Sequence, residues 1–127
     1  MTVTRLPDAE LEIMKTIWNS DGEITSAQIA QGLEGKKNWA ITTILNFLAR
    51  LVDRGFLSVR RVGKTNLYAP LIDEETYLEA ESKSFLERLH GNSFKSLVAS
   101  LYGGKEISQK DLAELKAFIN EKGGESI

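Results

Sequence analysis

Four residues in the stretch NWAITTILNFLARLVDRGFL, Asn38 to Leu57, carry side chains suited to reading an ordered array of donors and acceptors: Thr42, Thr43, Asn46 and Arg50. An asparagine amide can pair bidentately with adenine, an arginine fork with guanine, and a threonine can touch a thymine methyl or a phosphate. At about 100° per residue the four gather within about 100° of arc on a helix. The opposite side gathers Ile41, Ile44, Leu45, Leu48, Leu51 and Val52, the spacing of a buried face. Ala40 and Ala49 are small enough to let such a helix approach a partner closely. A Thr/Asn/Arg face standing alone is usually just a solvated face, so its meaning rests on the elements around it.

Those elements follow a definite order. Leu6-Pro7-Asp8 opens a first helix, with proline near the favoured first position and acids in the first turn. Leu11, Ile13, Met14, Ile17 and Trp18 give that helix a broad apolar face. Thr25-x-x-Gln28 is a capping box for a short second helix from Ser26 to Leu33, closed by Gly35. Asn38 is placed to cap a third helix of about residues 38–54, and Gly55 to end it from the C′ position. The period then changes. FLSVRRVGKTNLYAPLI is rich in β-branched and aromatic residues and is split at Gly63-Lys64, which predicts a β-hairpin over 56–71. Pro70 marks the end or an edge of its second strand. Trp39 falls at the start of the polar face, to pack back on the first helix or to lie against a nucleic-acid backbone.

Charge singles out the same region. Residues 36–68 hold seven bases against Asp53, a net +6, whereas residues 1–35 and 69–127 each carry −4 in a chain of net −2. Such an asymmetry suits a polyanion-binding surface on an otherwise acidic protein. Ser26, Lys37, Arg54, Arg60, Arg61 and Lys64 are the candidates for phosphate contacts, which add affinity without sequence information. Three helices and a basic hairpin in this order predict a winged helix-turn-helix over residues 1–72, with the third helix in a major groove and the hairpin on the backbone.

From Asp73 the chain is helical again. A helix to about His90, a second around Phe94, Leu97, Val98 and Leu101 ended by Gly103-Gly104, and a third capped by Ser108 and followed by Gly123-Gly124 fill residues 73–127. The fold class is therefore mainly α with a small β-hairpin wing. Other functions find little support. The chain has no cysteine for thiol catalysis, disulfides or thiolate metal sites, no glycine-rich phosphate loop, and one histidine, His90, expected to be solvated late in a helix. Glu74-Glu75 sit at a helix start, where the dipole accounts for them. No enzyme, cofactor or metal is expected. Neither a signal pattern nor an apolar run of about 18 residues is present, so a cytoplasmic protein without membrane insertion is expected.

ELEIMKTIW, then NWAITTILNFLARLVDRGFL, a basic hairpin, and a tail with LVASL and ISQKDLAELKAFI together resemble the penicillinase-repressor (BlaI/MecI/CopY) family over roughly residues 6–120. The resemblance implies a bacterial homodimeric repressor that binds palindromic double-stranded operators through its winged helix and dimerises through its C-terminal helices. It places Thr42, Thr43, Asn46 and Arg50 at positions the family uses on its recognition helix. Thr42 stands where some relatives carry lysine, and Leu45 where some carry arginine, so the resemblance does not fix the base preference. Some members are released when a membrane sensor-protease cuts an Asn-Phe bond; the corresponding pair here is Ser100-Leu101, a different chemistry. The cysteine cluster of the copper-responsive branch has no counterpart.

The tail fits a dimer on physical grounds as well. Short amphipathic helices draw most of their stability from packing. Phe85, Leu89, Phe94, Leu97, Val98, Leu101, Leu112, Leu115, Phe118 and Ile119 supply an apolar surface for a two-fold interface. Two alternatives stand beside the repressor reading: a winged helix that docks on a protein partner without reading DNA sequence, and a repressor released by a small molecule held in a dimer crevice.

Overall fold

A computed structural model describes residues 3–125 and resolves the chain into two compact units, residues 1–81 and 82–127. The division falls between Glu81 and Ser82, so the first turns of the helix after the hairpin belong with the N-terminal unit.

The first unit is a winged helix-turn-helix. Helices α1 (Asp8–Trp18), α2 (Ser26–Leu33) and α3 (Ile41–Asp53) precede a hairpin of β1 (Leu57–Val62) and β2 (Thr65–Pro70), and α4 (Glu74–His90) begins behind it. Each helix gives one stripe to a common core: Ile13, Met14 and Ile17 from α1, Ile29 and Leu33 from α2, Ile44, Leu48 and Leu51 from α3. Phe56, Leu57, Tyr68, Ile72 and Tyr77 close it from the hairpin and α4. Tyr77 is the reason α4 starts in this unit. Its ring packs 5.7 Å from Trp18 and 5.9 Å from Phe56, and its hydroxyl accepts a hydrogen bond from the Leu6 N–H at 2.9 Å. Burial raises the Tyr77 pKa, the Leu6 N–H opposing it. The Trp18 indole N–H donates to the Ile72 carbonyl at 2.9 Å, fastening the end of the hairpin to α1.

Local chemistry sets the boundaries. Thr25 and Gln28 form the capping box at α2, side chain to backbone in both directions at 3.1 and 2.9 Å. Gly55, at φ +81, lets its own N–H reach the Val52 carbonyl and the Phe56 N–H reach the Leu51 carbonyl, a Schellman closure of α3. Gly63, at φ +64, opens a two-residue turn that pairs Val62 with Thr65. Ile24, in the α1–α2 connection, adds a single bridge to Tyr68 on the free edge of β2. Pro70 is the last residue of that strand, paired with Leu57.

Three boundaries differ from those expected. Pro7 is the N-cap of α1 and not its first residue. Asn38 does not cap α3, which begins at Ile41 with Ala40 as an extended N-cap that makes no side-chain cap. Trp39 accounts for this: its ring lies edge-on 5.3 Å from Phe47, within α3 itself, and keeps the preceding residues outside the helix. The last helix runs through Gly123 and Gly124 to Glu125, because a glycine ends a helix by turning left-handed and Gly123 does not.

The second unit holds the rest of α4 with α5 (Phe94–Gly103) and α6 (Gln109–Glu125). Ser93 caps α5, and Ser108 and Asp111 bond each other's backbone N–H at the start of α6. His90 is half-buried, not simply solvated, with its Nδ1 2.9 Å from the Ser96 hydroxyl and its ring against Phe85. No residue of this unit is buried among those described. None of the described helices is long and apolar enough to cross a membrane.

Candidate nucleic-acid interface

The turn from α2 into α3 fixes where the third helix stands. Gly32 sits so close to α1 that a Cβ there would lie 2.7 Å from the Thr16 methyl, a near approach of α1 and α2 that a side chain could keep only if Thr16 or the helices shifted. With Ile44, Leu48 and Leu51 drawn into the core at 1% exposure or less, the opposite side of α3 must face outward. Thr42, Asn46 and Arg50 are exposed there, and Thr43 is half-buried beside them. The four selected residues therefore share one outward face.

Aromatic rings brace its edge. The Arg50 guanidinium lies 5.8 Å from the Phe47 ring centre, Phe47 meets Trp39, and the Lys37 ammonium stands 5.9 Å from the Trp39 ring. Cations over ring faces are attracted by the ring quadrupole, which restrains both without neutralising them. Trp39 is half-buried against the core and borders a cleft with Asp8, Leu11 and Glu12, so it packs back on the first helix.

The six phosphate candidates divide. Ser26, at the first turn of α2, is half-buried; Lys37 and Lys64 are exposed. Arg61 is exposed at the wing tip, with its Nε–H donating to the Gly63 carbonyl at 3.0 Å. Arg54 and Arg60 are each engaged by a carboxylate of the chain itself. The Arg54 Nη1 donates to Oε1 of Glu10 at 2.6 Å, joining the C-terminal end of α3 to the first turn of α1. Arg60 grips Glu23 with two bonds of 2.7 Å from Nε and Nη2. The Arg60 hydrogen bonds hold the Glu23 carboxyl below the usual carboxylate range, and the same bonds raise Arg60.

Two acids, an aromatic and an apolar pair carry more weight than the sequence reading gave them. Glu10 is 1% exposed, one turn ahead of Ile13 and Met14 and two ahead of Ile17; an acid continuing a buried stripe was its only signal. Glu23 offered none. Phe47, left out of both faces in the sequence, stands between Trp39 and Arg50. Ile41 and Leu45, grouped by periodicity with the buried side, are 46% and 40% exposed.

In the second unit, Leu97, Val98, Leu112 and Leu115 are half-buried, while Phe85, Leu89, Phe94, Leu101, Phe118 and Ile119 are exposed. Phe94, Val98, Tyr102, Leu112, Leu115 and Ile119 line an apolar groove of about 470 Å³ between α5 and α6. Ser100 and Leu101 lie within the regular turns of α5.

Comparison with known proteins fits this geometry. A penicillinase repressor from Bacillus licheniformis is 32% identical over 119 residues, 94% of this chain and 92% of that protein. The methicillin resistance regulatory protein MecI of Staphylococcus aureus is 27% identical over 117 residues, 92% of this chain and 94% of its own. The solution structure of monomeric Bacillus licheniformis BlaI in complex with the blaP half-operator is similar over 59% of this chain and 90% of that one, with a TM-score of 0.50 and 35% identity. The profile described as Penicillinase repressor matches residues 6–121, and the chain belongs to that family of repressors.

Proposed function

We propose that the protein is a sequence-specific transcriptional repressor that binds a palindromic operator as a homodimer, with α3 in the major groove and the hairpin on the flanking backbone. The observation that carries this reading is the outward face of α3: Thr42, Asn46 and Arg50 exposed opposite a buried stripe, with Thr43 at their side, in the basic third of the chain. Lys37, Arg61, Lys64 and the first turn of α2 at Ser26 supply the phosphate contacts. Arg54 is assigned to the fold, since its charge already serves Glu10.

The second unit supports the dimer. Residues 82–123 include no buried residue, and with a groove of apolar side chains between α5 and α6 they need a further surface to cover them. A second copy supplies it, and two-fold symmetry then presents two copies of α3 to half-sites about 34 Å apart. Release by cutting at Ser100-Leu101 fits poorly, because that bond lies in helical backbone whereas proteases prefer exposed loops.

Fluorescence anisotropy on duplexes tiling the promoter upstream of the gene, against a shuffled duplex, tests the reading through a salt series. Binding at least about 10³-fold tighter to a palindromic fragment is expected, with most of the preference lost in Arg50→Ala and Asn46→Ala. Equal, salt-labile binding to every duplex, unchanged by those substitutions, would favour docking on a protein partner.

A further inference from the structure

We propose that Ile41 and Leu45 form an apolar reading edge on α3 that recognises thymine 5-methyl groups in the major groove. This inference rests on the DNA-reading function proposed above and assigns base preference to residues that the polar face does not include.

Helical periodicity groups Ile41 and Leu45 with the core, yet the fold buries Ile44, Leu48 and Leu51 and leaves these two 46% and 40% exposed. A single exposed aliphatic residue is ordinary on any protein surface. Position is what sets this pair apart. Residues four apart on a helix adjoin each other, so the two side chains form one patch. At about 100° per residue, Leu45 lies only about 40° from Ala49 and about 60° from Thr42, so the patch runs without a break into the outward face. The other margin of that face is occupied by Phe47 and its contacts with Trp39 and Arg50. Both residues also belong to the first turns of α3, and in helix-turn-helix proteins the N-terminal residues of the recognition helix meet the base edges.

The chemistry of the groove selects the partner. Thymine alone among the four bases presents a methyl group there, and apolar side chains are what contact it. Leucine and isoleucine cannot satisfy the donor and acceptor atoms of the other base edges, so the patch disfavours G·C pairs at its position by leaving polar atoms dry. This chain therefore reads at least one thymine by exclusion of water, beside the bases read by Asn46 and Arg50.

The test removes one methyl at a time. The full chain is used to enrich binders from a randomised duplex library at near-physiological salt. Each thymine of the enriched duplex is then replaced by deoxyuridine, which keeps base pairing and lacks only the 5-methyl. Anisotropy on the wild type is expected to show at least one position where the swap weakens binding about fourfold, the effect of losing one buried carbon. The swap should cost less than about twofold at that position in Leu45→Ala or Ile41→Ala, whose fold is checked by circular dichroism. Both side chains are exposed, so these variants retain the core. Uniform tolerance of deoxyuridine by the wild type, or an equal loss in wild type and both variants, overturns the proposal. Failure of the underlying reading looks different: the wild type would then enrich no sequence at all, and both would fall together.

Discussion

The Glu10–Arg54 pair predicts an unequal response to losing either partner. The Glu10 side chain is 2% exposed, whereas that of Arg54 is 41% exposed, at a distance of 2.6 Å. Arg54→Met strands a carboxylate in the core. Removing one partner of a fully buried pair costs roughly 3–5 kcal/mol, and partial access of water to this site lowers the expectation to about 2–3 kcal/mol. Glu10→Gln keeps the shape and an acceptor oxygen, and Arg54 can turn to solvent, so about 1 kcal/mol is expected. Glu10→Leu combined with Arg54→Met removes both charges and should fall near wild type. Urea unfolding followed by tryptophan fluorescence measures this directly, since Trp18 and Trp39 both lie in the first unit. Equal losses in the two single variants, or a larger loss in Glu10→Gln, would refute the burial argument.

Three further outcomes are expected. Thr25→Ala should lower first-unit stability by about 1 kcal/mol in the same unfolding assay, through loss of the α2 capping box. Glu23→Gln frees Arg60, so affinity for a shuffled duplex should rise and the salt slope steepen by about one ion. Because Arg60 lowers the Glu23 pKa, that difference from wild type should be full above the ordinary carboxylate range and disappear as pH falls through the lowered value. Leu97→Asp or Leu101→Asp should give a monomer by light scattering and weaken operator binding; a variant that stays dimeric would remove those residues from the interface.

Short-range chemistry was legible in the sequence, and long-range pairing was not. Thr25 and Gln28 read as a cap because both partners lie within one turn, and Gly55 reads as a stop because its backbone requirement is local. Asn38 was the wrong cap for a reason two helical turns away, the seat of Trp39 on Phe47. Periodicity gave the outward face of α3 correctly but drew the buried stripe too wide, since the core receives Ile44, Leu48 and Leu51 and leaves Ile41 and Leu45 exposed. By residue type and charge, Arg54 and Arg60 were indistinguishable from Arg61. Only their acid partners, 44 and 37 residues away, separate them.

The Arg60–Glu23 pair has a consequence for a repressor acting inside a genome. Operator occupancy is set by the ratio of specific to background affinity, multiplied down by the very large number of competing sites. A wing arginine held by its own carboxylate adds little to background grip. It therefore leaves more protein free and shortens each stay on irrelevant DNA, so fewer copies suffice to keep one operator filled.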